Sequence, residues 1–136
     1  MKFSDVTPNI VVTDVKRSLA FYRDVLGLSV VTTVPETEPF AFAWMQRDGV
    51  NVFLNGIDAV RADLPALGSR PIGGAGTLYI VLEAETPASG VDAMRAAAGS
   101  RARVIMELKD QFYGMREFGI EDPDGYVIFF AQRIAS

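Results

Sequence analysis

The feature that most constrains this chain is a pattern that occurs twice. Glu121-Asp122-Pro123-Asp124-Gly125 leads into the run Tyr126 to Ala131, and Arg47-Asp48-Gly49 leads into Val50 to Leu54. Pro presets its φ angle, Asp bonds nearby backbone, and Gly accepts the positive φ that other residues avoid, so each cluster reads as a turn. The Tyr126–Ala131 run is β-branched and aromatic on both parities, as strands covered on both faces are. Two Asp-Gly turns, each launching such a strand, point to one unit made twice.

The remaining segments repeat in the same order. Residues 6–13 read as a strand, with Pro8 tolerable near its beginning. Asp14 is placed to cap a helix from Val15 to Val25. Leu19, Tyr22 and Leu26 form its apolar stripe, widened by Phe21 and Val25, and Gly27 supplies the stop. Strands over 28–34, 40–46 and 50–55 then complete a βαβββ module, with the polar loop Pro35–Pro39 between two of them. Thr77 to Glu83 matches Thr7 to Thr13 position by position, and Thr86-Pro87 is expected to open a second helix that runs to Gly99. Strands over 103–108, 115–121 and 126–131 follow. The repeat length of about seventy residues is hard to produce by chance. The expectation is an α+β fold in a single domain, 1–136, with module one at 1–56 and module two at 77–136. Residues 57–76 are expected to be a linker with a short helical turn near 60–67, placed to cover something.

Composition narrows the chemistry. The chain of 136 residues is 49% hydrophobic and 22% charged, values of an ordinary globular domain with neither a disordered tail nor a membrane span. Cys is absent, which removes disulfides, thiolate nucleophiles and zinc-thiolate sites. His is absent too, so no Ser-His pair and no two-His-one-carboxylate triad is available. A net charge of −4 gives no basic footprint for nucleic acid. The N-terminus lacks the apolar run of a signal peptide, and a cytoplasmic location is expected.

The stretch Pro8-Asn-Ile-Val-Val-Thr-Asp-Val-Lys-Arg-Ser-Leu-Ala-Phe-Tyr-Arg-Asp-Val-Leu-Gly-Leu28 resembles the opening of the vicinal oxygen chelate superfamily. Tyr113-Gly-Met-Arg-Glu-Phe-Gly-Ile-Glu-Asp-Pro-Asp-Gly-Tyr-Val-Ile-Phe-Phe130 resembles its closing strands. The superfamily includes glyoxalase I, bleomycin-resistance proteins, fosfomycin-resistance transferases and extradiol dioxygenases. The resemblance implies the glyoxalase/bleomycin-resistance/dioxygenase fold, two βαβββ modules whose mixed, curled sheets enclose a cleft. It also implies a homodimer. In metal-dependent members, His, Gln or Glu from the first and last strands of each module holds a divalent ion. Carried onto this chain, those positions are Thr7, Phe53, Thr77 and Phe129. Phe cannot ligate a metal and Thr is a poor neutral ligand, so no metal and no other cofactor is expected.

If Phe53 and Phe129 face the cleft, strand alternation puts Asn51, Asn55, Asn9 and Tyr79 on the same side. Ile10, Val12, Val52, Leu54, Ile80, Leu82, Ile128 and Phe130 have the other parity, which is apolar throughout, as a helix-covered face is. Trp44 is a stacking surface or core, and Tyr113 stands at the start of the closing motif. Arg116 and Glu117 are adjacent and face opposite ways, and which of them faces the cleft stays open at this point. The expected contacts for a ligand are thus Asn9, Trp44, Asn51, Phe53, Asn55, Tyr79, Tyr113, Arg116 and Phe129, with Glu117 the candidate base if there is catalysis. The favoured expectation is metal-free binding of a small, partly aromatic organic molecule, as in the sequestering antibiotic-resistance proteins. Neither nucleic acid nor membrane is an expected partner. The alternatives are a lyase, isomerase or dioxygenase with a carboxylate base or a different metal site, and a structural module with a filled cleft.

Overall fold

A computed structural model describes residues 1–134 of the chain. The fold divides into two compact units, residues 1–72 and the chain from Gly73 onward. The first unit contains β1 (Asn9–Val12), α1 (Val15–Asp24), β2 (Ser29–Val34), β3 (Phe42–Arg47), β4 (Val50–Gly56), α2 (Ile57–Asp63) and α3 (Pro65–Gly68). The second contains β5 (Thr77–Val81), α4 (Val91–Ala98), β6 (Arg103–Asp110), β7 (Met115–Glu121) and β8 (Val127–Arg133).

In the first unit the strand order is β1-β4-β3-β2, with β1 parallel to β4 and the other pairs antiparallel. Asp14 caps α1 by accepting from the Arg17 backbone N–H at 3.2 Å. Val15, Leu19 and Tyr22 of its apolar stripe are buried, and the helix packs on β3 and β4, whose Ala43, Met45, Val52 and Leu54 are also buried. Gly27 ends this segment with φ +75, a conformation that disfavours any Cβ. It also leaves room for Arg47, whose Nη1 donates to the Leu26 carbonyl at 2.7 Å. In the Asp48-Gly49 turn the positive φ falls on Asp48, at +51, rather than on the glycine.

Residues 57–68 depart from the expected linker. α2 starts immediately after β4, and its Ile57 and Val60 pack with Val11 and Ile72. Spaced three apart, Ile57 and Val60 share one helical face, a pattern too short to stand out in the sequence.

The second unit repeats the first sheet: β5-β8-β7-β6, with β5 parallel to β8. Asn9 pairs with Phe53 in β1–β4, and Tyr79 pairs with Phe129 in β5–β8, so the two modules have equivalent registers. Helix α4 lies against β7 and β8, over the fully buried Phe118, Ile120 and Ile128 and the stacked Phe118–Phe130 pair at 5.2 Å. The expected start of this helix at Thr86-Pro87 is not where it begins. Thr86 and Ser89 do exchange the reciprocal bonds of a capping box, each backbone N–H reaching the other hydroxyl at 3.2 Å. Gly90 then leaves the helical region (φ −113, ψ −101), and the first helical N–H, that of Val91, donates to Gln132 Oε1 of β8 at 2.8 Å. In the closing turn the backbone is held by Asp122, which accepts from the N–H groups of Asp124 and Tyr126, both at 2.9 Å. Among the described residues no helix is long and apolar enough to cross a membrane.

Candidate functional site

Each sheet has one face under α1 or α4 and a second face that collects polar and aromatic groups, which α2 covers in part at the Asn9–Asn55 edge of the first unit. In the first unit the second face carries Phe42, Trp44 and Gln46 of β3 opposite Asn55, Phe53 and Asn51 of β4. The rings pack on one another: Phe42–Phe53 centroids are 5.3 Å apart, and Trp44 meets Phe53 edge-on at 5.9 Å. Asn51 Oδ1 accepts from both Trp44 Nε1 (2.7 Å) and Gln46 Nε2 (2.9 Å). The bond from Nε1 orients the indole, whose residue is half-buried rather than in the core. Asn55 donates to the side-chain oxygen of Asn9, and both line a cavity of about 100 Å³ that Val60, Asp63 and Leu67 also border. A larger recess of about 660 Å³ opens elsewhere, beside Asp14, Lys16, Glu38 and Asp58. No aromatic of the Phe42–Trp44–Phe53 cluster reaches it, and its Lys16–Glu38 ion pair is solvent-exposed.

The matching face of the second unit is built around a carboxylate. Glu117 is 4% exposed, and its two oxygens accept from the phenols of Tyr79, at 2.7 Å, and Tyr113. Phe129 lies between β5 and β7 on this face, 6.4 Å from the Tyr79 ring. It rests over Gly119, where a Cβ would stand 2.8 Å from Phe129 Cε1. Burial pushes the Tyr79 phenol up to about 12, helped by its bond to Glu117 and by the charges of Glu117 and Tyr113. The Tyr113 phenol is raised as well, chiefly by its bond to Glu117. Both hydroxyls therefore stay donors through the neutral range.

The adjacency of Arg116 and Glu117 resolves in favour of Glu117 on this face. Arg116 turns to the helix side, where its guanidinium donates to Asp92 of α4 at 2.8 Å and Asp110 of β6 at 2.9 Å. Those two carboxylates hold the guanidinium pKa above its usual range. Of the residues expected to meet a ligand, Asn9, Trp44, Asn51, Phe53 and Asn55 thus share the polar and aromatic face of the first unit. Tyr79, Tyr113 and Phe129 share that of the second, and Arg116 does not. Gln46 and Gly119 were not expected in the site. A glycine inside a buried strand is itself a sign of close approach, and Gly119 carried that sign.

The positions that the fold family uses for a divalent ion do not fit one in this chain. Phe53 and Phe129 offer rings without donor atoms, each engaged by neighbouring aromatics, and Thr7 and Thr77 offer only neutral hydroxyls, poor ligands beside imidazole or carboxylate. Among the described residues no group of three or more His, Cys, Asp or Glu side chains is assembled to hold a metal.

Residues 5–130 match the model of the Glyoxalase/Bleomycin resistance protein/Dioxygenase superfamily, and the chain belongs to that family. Among solved structures it is similar to a protein of unknown function from Agrobacterium tumefaciens str. C58, at 24% identity and a TM-score of 0.74, covering 98% of this chain and 97% of that one. It is also similar to a glyoxalase/bleomycin resistance protein/dioxygenase from Nocardioides, at 17% identity and a TM-score of 0.77, over 100% and 87% of the two chains. A family enzyme from Burkholderia phytofirmans PsJN matches at 20% identity and a TM-score of 0.76, over 94% and 97%. At these identities the likeness establishes the fold. A search of curated proteins returns no match.

Proposed function

We propose that this superfamily member binds a small, partly aromatic organic molecule without a metal, sequestering it in the cytoplasm as a homodimer. The observation that carries the reading is the replacement of metal-ligand positions by aromatic ones: Phe53 is clustered with Phe42 and Trp44, and Phe129 lies beside Tyr79. A planar guest gains about 1 kcal/mol per good ring pair beyond area burial. Asn51, Gln46, Asn9 and Asn55 supply the few oriented polar groups that set a guest's pose.

A catalytic reading, as lyase, isomerase or dioxygenase, has one observation in its favour: the buried Glu117 between two phenols. The Burkholderia relative is described as a family enzyme. Against a general-base role, Glu117 is 4% exposed and each of its oxygens already accepts a hydrogen bond from a phenol, which commits one lone pair of each to the protein. Binding is the better-supported function.

Calorimetric titration of untagged protein with Ni²⁺, Zn²⁺, Fe²⁺ and Mn²⁺ tests the metal-free part. Affinity no tighter than about millimolar, near −4 kcal/mol, is expected. Stoichiometric micromolar binding overturns the reading, and turnover lost in Glu117→Gln with binding kept transfers it to the enzyme class. Sedimentation equilibrium reads the dimer.

A further inference from the structure

Glu117 is a buried carboxylate with no positive partner among the described residues. It is 4% exposed, and its hydrogen bonds come from two neutral phenols. Its sequence neighbour Arg116 faces the other way and is held by Asp92 and Asp110. Lys109 is the cross-strand neighbour of Glu117 on the same face, yet among the described residues the two make no ion pair. Buried charges are ordinarily paired, because removal from water is costly and only an opposite charge or a full set of hydrogen bonds offsets it.

The groups around this carboxylate suit a cation. Tyr79 and Tyr113 are 48% and 47% exposed as residues, and Phe112, edge-on to Tyr113 at 5.1 Å, is 99% exposed. Aromatic faces attract cations through the ring quadrupole. A phenol that donates a hydrogen bond to a carboxylate has a more electron-rich ring, so Glu117 strengthens the very faces that surround it. Each of its oxygens also keeps a second lone pair after accepting one phenol. An anion at this cluster would meet the repulsion of the Glu117 carboxylate.

We infer that the Tyr79–Glu117–Tyr113 cluster is a subsite for an organic ammonium group, so that the bound molecule is a cation as well as partly aromatic. This inference rests on the small-molecule reading above and adds the charge class of the ligand. The ammonium lies against the Tyr79 and Tyr113 rings, with Glu117 behind them as its counter-charge.

Titrating the full chain with benzyltrimethylammonium and, separately, with neutral benzyl alcohol, followed by amide NMR shifts, tests it. The cation is expected to bind roughly tenfold tighter or better. Its shifts are expected to centre on Tyr79, Tyr113, Glu117 and Gly119, and its preference to shrink as salt is raised. In Glu117→Gln, which retains an acceptor for one phenol, the preference of the cation over benzyl alcohol is expected to vanish. Should that variant fold poorly, the wild-type comparison and the location of the shifts decide by themselves. Equal affinity for the two probes, shifts centred elsewhere, or a preference that survives in Glu117→Gln overturns the charge inference and leaves the binding reading standing. Binding of neither probe overturns both.

Discussion

Tyr79 of β5 reaches across the intervening strand β8 to donate a 2.7 Å hydrogen bond to Glu117 of β7. Tyr113, at the β6–β7 connection, closes on the same carboxylate from the other side. The face of the second sheet is therefore tied together by side chains over the backbone ladder, with Phe129 beside the Tyr79 ring.

That arrangement predicts the alkaline behaviour of the protein. The Tyr79 phenol is pushed up to about 12, above its ordinary value of 10.0. A raised folded-state value means that the stabilisation is complete below the unfolded value and is lost as pH climbs through the folded one. Unfolding free energy should thus decline between about pH 10 and pH 12. Tyrosinate absorbance should show a late component that Tyr79→Phe removes. Ionisation of all tyrosines near the ordinary value would contradict the account.

Gln132 is the second long-range tie, and its loss should be costly. Besides accepting from Val91, it donates to the carbonyls of Ala84 (3.2 Å) and Thr86 (3.1 Å), and it is 4% exposed. Gln132→Leu leaves an N–H and two carbonyls short of partners, and about 2–4 kcal/mol of destabilisation is expected in urea unfolding. A loss under about 0.5 kcal/mol, the range of an unremarkable surface change, would show that water replaces the amide.

Gly27→Ala should cost about 1–2 kcal/mol from the left-handed backbone alone. The new methyl would also meet Arg47 Nη1 at 2.7 Å and disturb the bond to Leu26. In an Arg47→Met background the same substitution should cost measurably less, and a double-mutant cycle reads the difference. Strict additivity would mean that the two residues do not share this contact.

Gly119→Ala should displace the Phe129 ring, whose Cε1 and Cδ1 lie 2.8 and 3.0 Å from the added methyl. Overpacking of this kind costs about 1–3 kcal/mol. The Phe129 ring signals should shift in NMR spectra; unchanged signals with full stability would contradict the close approach.

Much of this was readable in the sequence because it rests on local rules. Asp14 and Gly27 mark the ends of the first helical segment through capping and backbone sterics. The Asp-Gly turns fixed the alignment that puts Phe53 and Phe129 at equivalent places, and period-two alternation separated Val52 and Leu54 from Asn51, Phe53 and Asn55. What escaped depends on distant partners. Thr86 forms its capping box, yet α4 waits for Val91 because Gln132, forty-one positions on, supplies the acceptor. Asp122 rather than Asp124 organises the closing turn, since both Asp residues have the right chemistry and only the folded backbone selects one. Arg116 shares parity with Phe118 and Ile120, but that parity identifies its face only once α4 is known to cover it.

Trp44 is the only tryptophan of the chain, and it stands edge-on to Phe53 on the face proposed to receive a ligand. Its fluorescence, titrated with planar aromatic probes in the presence of EDTA, measures metal-free binding most directly. The account predicts a saturable change in Trp44 emission that EDTA does not diminish. No change with any probe, or a change that appears only when a divalent metal is restored, would contradict it.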